Sequence, residues 1–275
     1  MRRMSAEALL LLALGCGVGA YGTLIGAGGG FILVPALLLL YPREQPTAIT
    51  TISLAVVCCN ALSGTAAYVR LGRVDYRTGT AFAVATIPGA VAGVFATGLF
   101  RRGPFDLLLG ILLVTLAVWL VVRPAEEAKP APESTAGLTQ RTLVDAAGTR
   151  YSYAYSRPLG LAISGLVGFL SSLLGIGGGI IHVPAMVQLL HIPAHVATAT
   201  SHFVLSFTSF GGSAVHALRG DFAGTGGRVV PLAIGVIAGA QLGAALSERL
   251  GGPLIVRLLA LALALVGVRL VVGAL

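Results

Sequence analysis

Charged residues are scarce in this sequence of 275. Asp, Glu, Lys and Arg together supply 10% of it, where a soluble domain carries about 25%. Such a chain is not built for water, which excludes an ordinary soluble enzyme. Acidic residues are scarcer still, ten in all: Glu7, Glu44, Asp75, Asp106, Glu126, Glu127, Glu133, Asp145, Asp221 and Glu248. Each falls in a loop or near the end of an apolar stretch. Cation and proton pumps commonly keep carboxylates inside the membrane. None is offered here, which favours an anionic or neutral cargo. Only three cysteines occur, Cys16, Cys58 and Cys59, all in apolar stretches. They give no metal spacing and no disulfide framework. No metal site and no cofactor is expected, and no buried acid pair, zinc motif or Ser–Lys arrangement points to an intramembrane hydrolase.

What is abundant is apolar length. Hydrophobic residues make up 56% of the chain. Six simple stretches, 47–69, 80–100, 105–122, 196–218, 229–246 and 254–272, are each long enough to cross a hydrocarbon core of about 30 Å. Two further regions, 9–40 and 159–190, are too long for one span and are interrupted by glycine. The fold class expected is therefore all-α: a polytopic helical membrane protein, multi-pass in the cytoplasmic membrane. The net charge of +8 sits mostly in short loops between spans, so it encodes orientation rather than nucleic-acid binding. Arg2 and Arg3 before an apolar run resemble a signal peptide, and Leu14-Gly15-Cys16 hints at a lipoprotein cleavage site. Both readings are set aside, because the same segment recurs in mid-chain.

That recurrence is an internal repeat. Residues 18–36 and 167–185 align without a gap at an offset of 149, with eleven of 19 positions identical. The match continues more weakly through Ser63-Gly64-Thr65-Ala66 and Gly211-Gly212-Ser213-Ala214. Two homologous halves of four segments each are expected, every half opening with a glycine-broken helix. The first membrane repeat is 1–123, the second 158–275, and 124–157 is a linker expected in the cytoplasm. Its first part is a Pro-, Ala- and Glu-rich tether. Its second part carries a turn signal at Asp145-Ala146-Ala147-Gly148 and alternating Tyr151, Tyr153 and Tyr155, which fit a small β-hairpin at the membrane surface or an unstructured loop.

Charge counting gives a topology. If each broken region crosses once in net terms, every half makes four net crossings. Twelve basic residues then share one side with both termini and the linker, against four (Arg43, Arg101, Arg102 and Arg249) on the other. The richer side would be cytoplasmic. If the broken regions instead return to their own side, the halves are inverted and this separation is lost.

The strongest local signal is Gly26-Ala-Gly28-Gly29-Gly30-Phe-Ile-Leu-Val-Pro35, repeated as Gly175-Ile-Gly177-Gly178-Gly179-Ile-Ile-His-Val-Pro184. No strand precedes it and no GK[ST] follows, so it is not a nucleotide loop. In a membrane, glycines let a helix break, and proline is tolerated in the first turn of a helix that restarts. A restarted helix presents unpaired N–H groups and a positive dipole end. Two such starts would make an anion site near the midplane; glycines serving only tight helix packing are the alternative. The duplicated motif, with four segments per half, resembles the TauE/SafE family of sulfite exporters and related permeases. That resemblance implies transport of small sulfur-containing or organic anions, with substrate and direction open.

The substrate ligands expected are Gly28, Gly29, Gly30, Thr51 and Ser53 in the first half, and Gly177, Gly178, Gly179, His182, Thr200, Ser201 and His202 in the second. All five histidines lie in the second half. His182 stands opposite Leu33, and His202 opposite Leu54. An ionisable group inside a span is costly and usually functional, so either can donate to an oxyanion or carry a coupled proton; a neutral ring bonded to a helix carbonyl is the alternative. Thr51, Ser53, Thr200 and Ser201 open the span after each motif, within a wider set of hydroxyls and amides that includes Asn60 and Thr198. The function expected is secondary transport of a small oxyanion such as sulfite or an organosulfonate. A channel-like anion permease and a non-transporting scaffold are the alternatives. The partners expected are the anion, a coupled proton if a histidine carries one, and the lipid bilayer.

Overall fold

The computed structural model describes residues 6–122, 137–247, 249, 250 and 252–274. The element order is α1 (Ala6–Leu24), α2 (Gly30–Leu40), α3 (Pro46–Arg70), α4 (Tyr76–Thr97), α5 (Arg102–Val122), β1 (Thr139–Val144), β2 (Arg150–Tyr155), α6 (Arg157–Leu174), α7 (Gly179–Gln188), α8 (Ala194–Leu218), α9 (Gly226–Ser247) and α10 (Gly252–Ala274). A long helix, a glycine loop, a short helix and three long helices thus occur twice in succession. Seven of the described helices are long and apolar enough to cross a membrane. At 25 residues α8 is long too, but Thr, Ser and His on its buried face dilute its hydropathy. It is polar because it packs against α3 and α4 instead of lipid.

Local chemistry sets the helix ends. Pro46 and Pro158 open α3 and α6, where a missing N–H costs nothing. Asp75 caps α4, its carboxylate accepting from the Thr78 N–H at 3.2 Å. The short helices start from Gly29 (φ 78°) and Gly178 (φ 81°) in the left-handed region, which a side chain enters only at a cost of about 1–2 kcal/mol. Pro35 and Pro184 lie deeper than the sequence suggested. Each sits inside its short helix, past the first turn, and so leaves a carbonyl one turn earlier without its helical partner.

Tight helix pairs cross between the halves. On α9, Gly235, Gly239 and Gly243 meet the α1 backbone near Leu12, Cys16 and Ala20 in turn, so the two helices run parallel. In return, a Cβ on Gly15 or Gly19 of α1 would stand 2.5 and 2.6 Å from the carbonyls of Leu232 and Val236. On α4, Gly89 and Gly93 meet α6 at Gly165 and Phe169 in the same parallel sense. This is small-residue packing, which lets backbones approach where lipid gives helices no hydrophobic drive to associate.

Each broken region is a hairpin that returns to its own side. Tyr41, just beyond α2, donates its hydroxyl to Glu7 at the start of α1, 2.7 Å away. Arg102, opening α5, donates to the carbonyls of Leu38, Tyr41, Pro42 and Glu44. Arg228, opening α9, reaches Glu44 at 2.7 Å. The starts of α1, α3, α5 and α9 therefore share one face, called here the α1 face. The β-hairpin lies on the opposite face. There Arg73 pairs with Asp145, Arg141 pairs with Asp75, and the Ala146 N–H donates to Leu71 O. The second broken region returns to that hairpin face, where Met186, Leu190 and Ile192 pack with Tyr153 and Tyr155.

This corrects the four-crossing topology. With α1 and α2 turning back, each half makes three net crossings, by α3, α4 and α5 and by α8, α9 and α10. The second half enters from the side opposite the first. The halves are inverted, and the linker and the end of α10 lie on opposite faces. The charge separation goes with it: among described residues in loops, in the hairpin and at helix ends, Arg43, Arg101, Arg102, Arg219 and Arg228 lie on the α1 face, and Arg70, Arg73, Arg77, Arg141, Arg150, Arg157 and Arg249 on the other.

The linker's described part is a two-stranded antiparallel hairpin, paired from Thr139 with Tyr155 to Val144 with Arg150. Asp145 shapes its turn by accepting from the N–H groups of Ala147 and Thr149. Tyr153 and Tyr155 face inward against Phe82 and Ala83 of α4.

Candidate functional site

The two glycine loops meet at the centre of the molecule. A Cβ on Gly30, the first residue of α2, would lie 2.5 Å from the Ile176 carbonyl oxygen, and one on Gly179, the first residue of α7, 2.6 Å from that of Gly26. Gly28 and Gly177 both rest against Val57 of α3 and Leu205 of α8. Two inverted hairpins therefore touch tip to tip. The first N–H groups of α2 and α7, at Gly30 and Phe31 and at Gly179 and Ile180, have no intrahelical acceptor, and each start carries the positive end of a helix dipole.

Four side chains around the first loop are joined by hydrogen bonds and ring contact. Asn60 donates its amide to Gly28 O at 3.0 Å and accepts from the Thr23 hydroxyl at 3.2 Å. With that proton committed, His202 Nε2, 3.2 Å from Thr23 Oγ1, must be the donor in its own contact. Tyr68 donates to Thr23 O at 2.7 Å, and its ring meets the His202 ring edge-on. All four residues are buried.

Around the second loop and the central helices, hydroxyls are left over. Ser53 donates to Gly175 O at 2.6 Å, but Ser171, Ser172, Thr198 and Ser201, all buried, have no partner for their hydroxyl oxygens among the described residues. Ser171 Oγ lies 3.2 Å from where a Gly178 Cβ would stand, and Thr198 packs on Gly26. An unpaired buried hydroxyl costs about 1–3 kcal/mol, and Ser171 and Thr198 beside unpaired helix starts form an arrangement that a desolvated oxyanion would complete.

Other expected ligands are placed elsewhere. Thr51 Oγ1 donates to Thr47 O at 2.7 Å and lies 3.0 Å from His216 Nδ1, which is 2.8 Å from Asp221. That group ties the start of α3 to the end of α8 on the α1 face. Thr200 accepts from the Asp75 N–H at 3.0 Å and ties the start of α8 to the head of α4 on the hairpin face. His182 is buried, its Nε2 3.1 Å from Ser164 Oγ and its ring edge-on to Phe82. The structure thus brings Gly28, Gly29, Gly30, Gly177, Gly178, Gly179, Ser53 and His202 to the loops, and Ser201 is buried in α8 with its hydroxyl unpartnered among the described residues. Thr51 and Thr200 it engages in ties between helices.

Sequence reasoning passed over Thr23, Ser171 and Ser172. The visible signal was Ser171-Ser172 just ahead of the second glycine motif, where the first half has Gly22-Thr23. The sequence places the acidic residues in loops or near span ends without saying whether they are buried. Asp75 and Asp145 do stand in loops, yet they are only 2% and 6% exposed. The β-hairpin covers Asp75, which accepts from Arg141 at 2.7 Å and from the Tyr153 hydroxyl at 2.7 Å, and Asp145 in the hairpin turn is held against Arg73. Among the described residues no group of three or more His, Cys, Asp or Glu could hold a metal ion.

A family model, "Sulfite exporter TauE/SafE", matches residues 11–270. The chain belongs to the TauE/SafE family. Among curated relatives, it is 35% identical over 269 residues to "Probable membrane transporter protein YunE" of Bacillus subtilis, covering 96% of this chain and 97% of that one. It is 25% identical over 215 residues to "Probable membrane transporter protein MJ0441" of Methanocaldococcus jannaschii, covering 74% and 70%. A "Probable membrane transporter protein" of Xylella fastidiosa is 28% identical over 204 residues, covering 74% and 71%. No solved structure matches. With seven long apolar helices, this TauE/SafE protein is a multi-pass membrane transporter.

Proposed function

We propose that the protein is a secondary transporter for a small oxyanion, sulfite or an organosulfonate or related organic anion, held between the two glycine loops. The observation that carries this reading is the meeting of two inverted helix starts beside Ser171 and Thr198, whose buried hydroxyls lack partners among the described residues. Helix N-termini suit negative charge and disfavour a cation, and hydroxyls can donate to the anion held there. Inverted halves supply a route to alternating access: if the halves exchange conformations, a site open to one side becomes open to the other. His202, bonded to Thr23 beside the first loop, is better placed than His182 to carry a coupled proton.

Counterflow in proteoliposomes tests the proposal. Vesicles loaded with unlabelled sulfite should take up labelled sulfite transiently, with saturation, and competing sulfonates should reduce it. Linear flux without counterflow would make the protein a channel. Absence of flux with sulfite, sulfate, thiosulfate, sulfonates and small carboxylates alike would leave a scaffold.

A further inference from the structure

The inverted halves create the same notch twice, and the two copies carry different charges. On the α1 face, the parallel pair α1 and α9 begins with Glu7 and Arg228. That notch is closed by its own side chains: Tyr41 donates to Glu7 at 2.7 Å, Arg228 bonds Glu44 at 2.7 Å, and its guanidinium lies 3.9 Å above the Tyr41 ring. On the hairpin face, the counterpart pair α6 and α4 begins with Arg157 and Arg77. Both arginines are exposed, and neither has an ion-pair or hydrogen-bond partner among the described residues.

These two arginines line a cavity of about 380 Å³ whose far wall is the β-hairpin, at Thr139, Arg141 and Tyr155. Arg141 is already neutralised by Asp75, so the charge left in the cavity is that of Arg77 and Arg157. A second hollow of about 580 Å³ shares Arg77 and Arg157 and runs down the helices over Val84, Ala85 and Leu161. Val84 is 62% exposed there. A free anion would need only the first hollow. A ligand that uses both has a negative head at the span ends and an apolar tail directed into the hydrocarbon region.

We propose that this notch holds an anionic phospholipid, its headgroup phosphate between Arg77 and Arg157 and one acyl chain along the α4–α6 trough. Bidentate guanidinium–phosphate bonds supply the head contact, and basic pockets between helices are suited to such headgroups. The site is separate from the glycine loops and does not depend on which anion is carried. Its counterpart on the α1 face has no spare positive charge, so the lipid is bound on one face only.

Native mass spectrometry of the full chain in detergent, titrated with phosphatidylglycerol or with phosphatidylcholine of the same acyl chains, tests it. The parent should retain phosphatidylglycerol preferentially, and excess inorganic phosphate should not displace it. The double variant Arg77→Gln, Arg157→Gln should lose roughly thirty-fold of that preference, while Arg70→Gln, Arg150→Gln, a matched charge loss on the same face, should keep it. Val84→Trp, which leaves both arginines in place and fills the trough at an exposed position, should also weaken retention. Equal retention by the parent and the Arg77, Arg157 variant, or by the parent and Val84→Trp, would overturn the proposal. Displacement by phosphate would make the notch a soluble-anion site and overturn the lipid assignment.

Discussion

Gly179→Ala and Gly30→Ala, each made alone, are expected to lower counterflow by about ten- to a hundredfold while the chain still inserts. A methyl group on Gly179 would stand 2.6 Å from the Gly26 carbonyl oxygen and 2.7 Å from Ala27 Cα. On Gly30 it would stand 2.5 Å from the Ile176 oxygen and 2.6 Å from its carbonyl carbon. These neighbours are backbone of the opposite hairpin, which cannot swing aside as the end of a side chain can. The hairpins must part, and overpacking of this kind costs about 1–3 kcal/mol, the free-energy equivalent of the loss in flux. Gly17→Ala and Gly211→Ala, where an added Cβ meets nothing within 4 Å, are the controls and should transport like the parent. Flux is compared at equal amounts of folded protein in the vesicle. Normal counterflow in both Gly30→Ala and Gly179→Ala would mean that the contact between the loops has no part in transport.

Asp75→Asn should release the β-hairpin from the helices and cost about 2 kcal/mol of stability. Burial by itself would raise the Asp75 carboxyl pKa, but bonds from Arg141, Thr78 and Tyr153 outweigh it and hold the group at about 2, below its ordinary 3.8. A carboxylate with a depressed folded pKa stabilises the fold fully above its unfolded value, and loses that contribution as pH falls through the folded one. The window is therefore pH 4 down to 2. A difference of nearly two units corresponds to about 2.5 kcal/mol, trimmed because the Arg141 side chain is 23% exposed and partly screened. Denaturant unfolding in detergent should show the parent weakening across that window. The Asn variant should start lower at neutral pH and lose this part of the slope, and proteolysis in the hairpin should quicken. An unchanged acid slope in Asp75→Asn would show that the carboxylate is not the latch.

Much of this architecture could be read from residues alone, and what could not has physical reasons. Gly26 to Pro35 and Gly175 to Pro184 announce breaks, because only glycine enters the left-handed region so readily. Nothing in those runs states the direction of the restarted helix. That depends on contacts such as Tyr41 with Glu7 and Arg102 with four carbonyls, which join residues 34 to 64 positions apart. The charge count failed for a related reason. Arg228 looks like a loop cation that sets orientation, yet it is committed to Glu44 and the Tyr41 ring. Asp75 reads only as a loop or span-end acid, and its burial depends on Arg141 and Tyr153 of the linker closing over it. At the site, the glycines and His202 were legible because glycine runs and buried imidazoles are rare in spans. Ser171 was not, since serine within a membrane helix usually signals packing, and only its missing partner and its place against Gly178 set it apart.

The inversion of the halves is the claim on which the paired loops and the alternating-access reading both rest, and cysteine labelling tests it most directly. In a background with Cys16, Cys58 and Cys59 replaced, single cysteines are placed at Ala147, in the exposed β-hairpin turn, and at Gly220, in the exposed turn between α8 and α9. A membrane-impermeant maleimide is then applied to right-side-out and to inside-out vesicles. Inverted halves predict complementary labelling, each cysteine reacting in one vesicle type and the two never in the same one. Labelling of both from the same side would restore parallel halves with four net crossings each and contradict the account.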